Sequence, residues 1–186
     1  MNKCSWSNSS DILKNYHDKE WGKPIHDDHK LFEMLILESM SCGLSWEIVL
    51  KKRNRMIEVF DNFDPESIAL YTDDKINDLM KDSGIIRHRA KLVAMVQNAK
   101  AYLELTRTQS FDNFLWRYVG NQTICNTSDE IITRNEISDK LSADLKKLGF
   151  KFVGSVIIYS FMQAVGIIND HDKECPFYHS FFNTNF

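Results

Sequence analysis

The strongest constraint on the fold is the helical periodicity of apolar residues along almost the whole chain. These side chains recur at the spacing that places them on one face of an α-helix. The seven glycines fall largely between the periodic segments, where helix ends and turns are expected. A chain of 186 residues can bury a core in one compact domain, or in two small lobes built from one continuous run. We therefore predict an all-α fold, with a single domain spanning 1–186.

Helix-capping residues indicate where the predicted helices begin. The caps are Asp27 or Asp28, Asp64 before a proline suited to the first helical turn, Thr72 and Ser138. The longest helix is expected to turn Leu92, Val93 and Val96 inward. The predicted helical segments are 28–41, 45–60, 65–70, 73–83, 87–105, 111–119, 139–148 and 155–165.

No segment of the chain is predicted to cross a membrane. The longest apolar stretch, 152–168, is interrupted by Ser155, Ser160 and Gln163 and falls short of the roughly 20 residues that a bilayer requires. The first residues lack the apolar core behind a basic flank that marks a secretory signal. The four cysteines favour metal binding or reduced thiols over a disulfide framework. We therefore expect a cytoplasmic protein without a membrane partner.

The charge distribution gives a mixed indication about nucleic acid. The formal net charge of −3 argues weakly against it, because most nucleic-acid-binding domains are basic overall. Basic residues nevertheless gather at 51–55, 87–91 and 146–151, each beside a glycine-marked turn or a helix start. A solvated helix face is the better explanation for any one of these clusters. Three clusters near turns are more suggestive of a polyanionic partner than one.

Glu38 is a carboxylate on the apolar face of a predicted helix. It continues the series Leu31, Met34 and Leu35 at the spacing of one helix face. Burying an ionised carboxylate without partners is costly. Glu38 is therefore satisfied by a neighbouring arginine, lysine or backbone amide, or protonated, or left for a ligand that brings hydrogen-bond donors or positive charge.

Three aromatic residues near Glu38 in the sequence favour the ligand interpretation. They are Tyr16, Trp21 and Trp46, the last of which directly follows the turn 43–45 after the Glu38 helix. Aromatic faces beside a recessed carboxylate suit a planar, electron-poor base, because the rings stack on the base while the carboxylate accepts its exocyclic hydrogens. The alternative is that these rings simply fill the core.

Two cysteines and two histidines near the chain ends form a candidate metal set. Cys4 and His17 lie near the start, and His171 and Cys175 lie near the end with a spacing that puts both on one side of a helical turn. Two thiolates and two imidazoles complete a tetrahedral zinc site, and such a closed site has a structural task. The spacing matches no common zinc finger, so a stray thiol and a surface histidine remain the alternative.

Five segments of the sequence resemble one known family. They are 16–22 (YHDKEWG), 43–46 (GLSW), 84–89 (GIIRHR), 149–154 (GFKFVG) and 159–164 (YSFMQA). From Cys4 to Cys175 they run in the order found in 3-methyladenine DNA glycosylase I, the constitutive bacterial type. The resemblance covers nearly the whole chain and identifies it as similar to that family.

The resemblance implies a helix-hairpin-helix DNA glycosylase of two helical lobes, with a hairpin region at about 138–168 and a structural zinc ion joining the N- and C-terminal segments. It implies excision of 3-methyladenine from alkylated double-stranded DNA, which releases the free base and leaves an abasic site. A glycosylase of this size is expected to be a monomer. Matched positions place zinc on Cys4, His17, His171 and Cys175, the base-reading and catalytic carboxylate on Glu38, and the base pocket on Tyr16, Trp21 and Trp46.

The same resemblance indicates how DNA would be held. Leu44 corresponds to the region that enters the gap left by a flipped nucleotide. The turn from Gly149 to Gly154 opens the helix that starts at Ser155, whose free backbone N–H groups would hold a phosphate. Lys151 adds a positive charge to this turn.

Some positions depart from related enzymes. Hairpin glycosylases that also cut the strand have a lysine two residues after the second hairpin glycine, and this position is Val156 here, so we predict a monofunctional enzyme. Ser41 and Cys42 replace the glutamine and alanine that commonly precede the Gly-Leu-Ser-Trp turn. Asp170 lies roughly where related glycosylases place a catalytic aspartate, but we expect it to cap the turn before His171.

Two other classes of function remain open. A zinc-bearing helical domain that binds DNA or a partner without chemistry would keep the metal set and the basic turns, but it has no reason to bury Glu38 among aromatic rings. A hydrolase of free nucleosides would need the pocket but neither the Leu44 turn nor the hairpin. Release of free base from methylated duplex DNA separates all three.

Overall fold

The computed structural model describes residues 4–127 and 130–178, and these residues are mostly helical. The extreme ends of the predicted domain lie outside the described residues. Short 3-10 helices occupy Ser5–Ser9, Asp61–Phe63 and Arg117–Val119. The α-helices are α1 Asp11–Lys19, α2 Asp28–Ser41, α3 Trp46–Val59, α4 Pro65–Ala69, α5 Asp73–Leu79, α6 Arg89–Thr106, α7 Phe111–Trp116, α8 Glu136–Lys147 and α9 Ser155–Ala164.

Most of the predicted helix starts are confirmed by side-chain caps. The Asp27 carboxylate accepts a hydrogen bond from the Lys30 amide at 2.7 Å and begins α2, and Thr72 caps α5. Asp64 caps α4, which has proline at its start as predicted. The predicted Ser138 cap is wrong, because Asn135 caps α8 and Ser138 completes a capping box inside the first turn.

The all-α prediction is confirmed in that the described residues are mostly helical, with a two-residue parallel pair of Ile124–Cys125 and Ile168–Asn169 added. Helix α1 was not predicted, although Ser10 caps it and carries the usual start signal. The predicted inward position of Val93 is wrong, because Val93 is exposed and shares the outer face of α6 with Gln97 and Lys100.

Helix α2 is the centre of the core. Every residue from 31 to 40 is buried, because α2 is apolar on nearly all sides and packs against α3, α6, α7 and α9. Two of these buried residues are glutamates, Glu33 and Glu38. None of the described helices is both long and apolar enough to cross a membrane.

Glu33 is the glutamate of α2 that has a cationic partner. The Arg53 guanidinium of α3 donates to its carboxylate at 3.0 and 2.8 Å, and a third bond at 2.7 Å joins Arg53 to Glu20 just after α1. This network ties α1, α2 and α3 together. It also removes Arg53 as a partner for Glu38.

Candidate functional site

A cavity of about 710 Å³ opens at the C-terminal end of α2. Its lining comes from the N-terminal segment, α1, the turn between α2 and α3, α9, the segment 170–173 and the stretch 130–132. The helices bring together the side chains that were predicted to bind a base. Among the lining residues are Trp6, Tyr16, Trp21, Glu38, Leu44 and Trp46.

Glu38 lies at the inner end of this cavity without a cationic partner. Its side chain is buried and, among the described residues, forms no salt bridge; its Oε2 lies 3.4 Å from the Ser41 hydroxyl, which donates mainly to the Glu38 carbonyl at 2.8 Å. Burial raises the pKa of Glu38 to about 8, an effect that the Ser41 hydrogen bond partly offsets. The alternative of a glutamate satisfied by arginine or lysine therefore holds for Glu33 and fails for Glu38.

Tyr16 and Trp46 bring unused hydrogen-bond donors to the same space. Their ring centroids lie 5.5 Å apart at an angle of 51°. The buried Tyr16 hydroxyl and the buried Trp46 indole N–H have no hydrogen-bond partner of acceptable geometry among the described residues. Burial, followed by the charge of Glu38, raises the pKa of Tyr16 well above its usual value, so this hydroxyl keeps its proton. A buried polar group without a partner is uncommon, and here two of them face a cavity with a carboxylate.

Trp21 lines the cavity and also packs on the predicted metal ligands. Its ring stacks on His17 with centroids 6.0 Å apart and meets His171 edge-on at 4.6 Å. Trp6, which sequence reasoning missed, also lines the cavity and contacts Trp21 edge-on at 5.0 Å. No periodic pattern marks Trp6, because it lies in a 3-10 helix rather than on an amphipathic face.

The four predicted metal ligands come together in one buried cluster. The ligand atoms of Cys4, His17, His171 and Cys175 all lie within 4.8 Å of one another. The Cys4 sulfur lies 3.4 Å from His171 Nδ1, and the Cys175 sulfur lies 3.6 Å from His17 Nε2. This arrangement rejects the alternative of a stray thiol and a surface histidine.

The protonation chemistry of the cluster suits a metal ion. Burial lowers the pKa of His171 to about 4, which keeps its imidazole in the neutral form that ligates metals. Burial raises the pKa of the Cys4 thiol to about 12, so a nearby cation is needed to hold it as thiolate. His17 Nδ1 lies 2.9 Å from Asp18 Oδ1, a carboxylate contact of the kind that orients ligating imidazoles. These four residues could hold a metal ion with two sulfur and two nitrogen ligands.

The turn after α2 projects an apolar tip beside the cavity. Gly43 has a φ of +75°, a conformation that favours glycine, and Leu44 follows with 39% of its surface exposed. Ile48, one helical turn further along α3, is also 39% exposed and was not predicted. We call these two exposed apolar side chains, Leu44 at the cavity and Ile48 in the first turn of α3, the wedge patch.

The turn between α8 and α9 has the features of an anion-binding helix start. Gly149 has a φ of +97°, and Gly154 caps α9 without any side-chain hydrogen bond to its first amides. Ser155 begins the helix, and Lys151 is exposed in the turn. Val156 is 51% exposed in the first turn of α9, so this turn presents an apolar side chain rather than an amine at that position.

The expectation for Asp170 is wrong. The His171 amide donates to the Asn169 side chain at 3.2 Å, so Asn169 caps this turn. The Asp170 carboxylate lines the cavity and accepts hydrogen bonds from Asn126 at 2.7 Å, from Tyr159 at 3.3 Å and from Gln163. Neutral donors hold this carboxylate because α9 and the segment at Asn126 both reach it after the chain folds, which no local pattern reveals.

The sequence matches one family of known proteins along most of its length. The family model for methyladenine glycosylase matches residues 6–179. The chain is 46% identical to a DNA-3-methyladenine glycosylase of Haemophilus influenzae over 94% of its length and 96% of that protein. It is 46% identical to DNA-3-methyladenine glycosylase 1 of Escherichia coli, over 96% of its length and 97% of that protein.

The fold agrees with a solved relative as well. A structure of 3-methyladenine DNA glycosylase I from Staphylococcus aureus, determined to explain 3-methyladenine recognition, is 40% identical and superposes with a TM-score of 0.91. The similarity covers 96% of this chain and 97% of that one. The chain therefore belongs to the methyladenine glycosylase family.

Proposed function

We propose that the protein hydrolyses the N-glycosidic bond of flipped 3-methyladenine in alkylated double-stranded DNA. The observation that carries this proposal is the meeting of an unpaired, buried Glu38 with the unsatisfied donors of Tyr16 and Trp46 in one cavity. The relatives, which carry the names of 3-methyladenine glycosylases, support the choice of base. The products are the free base and an abasic site in DNA.

Glu38 recognises the base by charge and by hydrogen bonding. Methylation at N3 leaves adenine cationic in DNA. The complementary group is the carboxylate of Glu38, which has no cationic partner among the described residues. A charge-assisted hydrogen bond from the adenine amino edge to Glu38 contributes about 1.5–3 kcal/mol. A guanine edge presents an acceptor carbonyl at that place, which makes methylated guanine a poor substrate.

The aromatic rings supply the remaining binding energy. Stacking of the base on the rings of Tyr16, Trp21 and Trp46 contributes about 1–3 kcal/mol per base. Flipping costs a few kcal/mol, and less for a damaged base that pairs poorly. The two contributions together are of the size needed to hold the flipped nucleotide in the cavity.

Bond cleavage needs no proton donor to the leaving base. When the C1′–N9 bond breaks, its electron pair neutralises the cationic purine, and a water molecule then bonds to C1′ and gives its proton to solvent. Glu38 is hydrogen-bonded to the base and holds it in the cavity in the orientation from which the C1′–N9 bond breaks. DNA phosphates balance the positive charge that develops on the sugar.

Two turns would hold the DNA. We propose that Leu44 fills the gap left by the flipped nucleotide. The helix-hairpin-helix element of α8, its turn and α9 binds a backbone phosphate through Gly149, Lys151, Gly154 and Ser155. Since Val156 has no amine, no Schiff base forms, and the enzyme is monofunctional without lyase activity.

A structural zinc ion is the metal that best fits the cluster of Cys4, His17, His171 and Cys175. When bound, it supplies folding energy by joining the two ends of the chain. All four ligand positions come from protein, so the chemistry is left to the cavity. We propose a monomeric cytoplasmic enzyme whose residues 1–186 form one glycosylase domain of two helical lobes, with the hairpin region at about 138–168.

The test is release of free base from duplex DNA treated with a methylating agent. Wild-type protein should release 3-methyladenine, identified by chromatography, and leave alkali-sensitive sites without cutting the strand itself. Glu38→Gln should lower kcat/KM by about tenfold or more, the cost of one charge-assisted hydrogen bond. Glu66→Gln, on the surface of α4, is the matched control and should keep full activity. Unchanged excision by Glu38→Gln would rule out the role of this carboxylate.

A further inference from the structure

Helix α6 carries two buried polar side chains, Lys91 and Asn98, that the base cavity does not use. They are seven positions apart, which places them on the same face of the helix about two turns, or about 10 Å, from one another. Asn98 is completely buried and Lys91 is nearly so. Lysine is rarely buried in this way unless its ammonium has dedicated partners.

Lys91 holds the turn that presents the wedge patch. Its ammonium donates to the Met40 carbonyl at 2.9 Å and to the Cys42 carbonyl at 2.6 Å. These are carbonyls at the end of α2, where a helix carries partial negative charge that a cation stabilises. The Leu44 amide donates to the intervening Ser41 carbonyl at 2.7 Å. The main chain from Met40 to Leu44 is thereby fixed from α6.

Asn98 holds the hairpin turn in the same manner. Its side-chain amide donates to the Lys151 carbonyl at 3.1 Å, and its carbonyl oxygen accepts from the Lys151 amide at 2.7 Å. Phe152, the next residue, has a φ of +55°, a strained value that persists only where the surroundings enforce it. The Ser142 hydroxyl of α8 donates a hydrogen bond to the Val153 carbonyl at 2.6 Å, which fixes the end of the same turn.

The two clamps therefore connect one helix to both the turn after α2 and the turn between α8 and α9. Each acts on main-chain groups, while the tips of the turns, Leu44 and Lys151, remain accessible to solvent. A buried polar side chain that only needed hydrogen-bond partners could bond to any nearby main-chain group, whereas these two side chains both bond to these turns. The distance between Lys91 and Asn98 along α6 therefore sets the distance between the wedge patch and the turn that precedes α9.

We propose that α6 acts as a strut that sets the distance between the two DNA-contacting turns, with Lys91 and Asn98 as positioning residues. The inference rests on the proposed function, because it assumes that both turns contact the same duplex. On one duplex, a gap and a nearby phosphate are separated by a fixed distance. Two turns that moved independently would lose that match, and a misplacement of about 1 Å can lower a rate by about 10²-fold.

The experiment compares duplex DNA with the free base. The variants are Lys91→Met, Asn98→Leu and the double variant that carries both substitutions, with Lys100→Met and Gln97→Leu as matched controls from the exposed face of α6. For each, kcat/KM on methylated duplex, affinity for a duplex with an abasic-site analogue, affinity for free 3-methyladenine and the unfolding midpoint are measured.

A strut predicts a loss confined to DNA. Lys91→Met and Asn98→Leu should lower kcat/KM and duplex affinity by about tenfold to a hundredfold, while affinity for the free base changes by less than about twofold. Because both act through one spacing, their effects should combine to less than the product of the two. The controls should keep wild-type values.

Four results would overturn the strut. One is wild-type duplex activity and affinity in both variants, and another is an equal loss of duplex and free-base binding, which indicates general destabilisation. The third is a double variant whose loss of kcat/KM equals the product of the losses of the two single variants. Failure of the proposed function is a separate result, since wild-type protein would then release no 3-methyladenine. The abasic-duplex affinities still test the strut in that case, and absence of any duplex binding by wild-type protein also rejects it.

Discussion

The Trp21 indole meets the His171 imidazole edge-on, with ring centroids 4.6 Å apart. His171 belongs to the metal cluster, while Trp21 also lines the base cavity. Trp21 further stacks on His17, the second imidazole of the cluster. The cluster and the cavity therefore share a wall, and the orientation of that wall depends on both imidazoles.

We predict that metal removal weakens base binding as well as stability. Without metal, the four ligand side chains are no longer held together, and Trp21 loses the rings that orient it. A loss of about 3 kcal/mol would lower the unfolding midpoint by roughly 6–12 °C in a chain of this size. The measurements are calorimetry and free 3-methyladenine affinity, before and after chelation and in Cys175→Ser.

Cys125→Ser is the control for the metal prediction, because Cys125 is a free thiol outside the cluster. It should retain metal, stability and base affinity. Chelation that lowers the midpoint but leaves base affinity unchanged would contradict the shared wall. Absence of stoichiometric metal in purified protein would contradict the metal site itself.

Glu38→Gln is predicted to be more stable than wild type, by a margin that grows as the pH rises. The pKa of Glu38 is about 8 in the folded state against 4.5 for an ordinary glutamate, so between these values the folded state keeps a proton that the unfolded state has lost. The contribution of Glu38 to stability is therefore largest below pH 4.5 and falls as pH rises toward 8, by at most about 1.4 kcal/mol per pH unit. Glutamine removes this loss, which chemical denaturation across that range measures.

Glu33→Gln provides a control of opposite sign. Burial opposes ionisation of Glu33, but hydrogen bonds and ion pairs with Lys30 and Arg53 lower its pKa overall. Its contribution is present above the ordinary pKa of glutamate and is lost as pH falls through the lowered value. Glu33→Gln should therefore be less stable than wild type at neutral pH. Parallel pH curves for Glu38→Gln and wild type would show that Glu38 ionises normally.

Local signals predicted the parts of the site that lie on regular helices. Asp27 and the apolar stripe of α2 predicted both the helix and the inward position of Glu38, because capping and periodicity act within a few residues. The metal set was predicted from residue type, because the two cysteines and two histidines near the chain ends supply the four ligands of a tetrahedral zinc site. The start of α2 and the inward position of Glu38 do not depend on how distant helices pack.

Features created by packing could not be predicted in this way. Trp6 lies outside any amphipathic pattern, and Asp170 obtains its donors from Asn126 and Gln163 only after the chain folds. Glu33 and Glu38 have the same residue type on the same buried helix, yet only Glu33 is reached by Arg53 of α3. The difference between a structural and a ligand-binding glutamate therefore lies in tertiary contacts.

Ser41→Ala is predicted to shift the pH dependence of excision. The Ser41 hydroxyl lowers the pKa of Glu38, so its loss should raise that pKa further. If the carboxylate form binds the cationic base, kcat/KM rises with pH to a plateau above the pKa of Glu38 in the free enzyme. Ser41→Ala should move this rise to higher pH and reach the same plateau.

The control for Ser41 is Ser39→Ala, which lies on the same helix and donates to the Leu35 carbonyl instead. Its pH profile should match that of wild type. A lowered plateau without a shift in Ser41→Ala would mean that the hydroxyl contacts the substrate rather than Glu38. An unshifted profile at the wild-type plateau would mean that the contact with Glu38 has no effect on its ionisation.

The wedge patch yields a prediction that separates DNA distortion from base recognition. Leu44 and Ile48 are each 39% exposed, and their apolar surface is stabilised when it replaces the base lost from the stack. Leu44→Ala should lower kcat/KM on methylated duplex by about tenfold, corresponding to about 1.4 kcal/mol of lost apolar contact. Ile48→Ala should have a smaller effect in the same direction, because Ile48 lies one helical turn behind the tip.

Free-base binding and a remote substitution determine whether this effect belongs to the patch. Neither Leu44→Ala nor Ile48→Ala should change free 3-methyladenine affinity, because Glu38, Tyr16 and Trp46 remain in place. Leu70→Ala removes an exposed leucine after α4, away from the cavity, and should leave duplex kinetics unchanged. Equal losses for duplex and free base in Leu44→Ala would mean that Leu44 forms part of the base pocket, and the gap-filling role would pass to another residue.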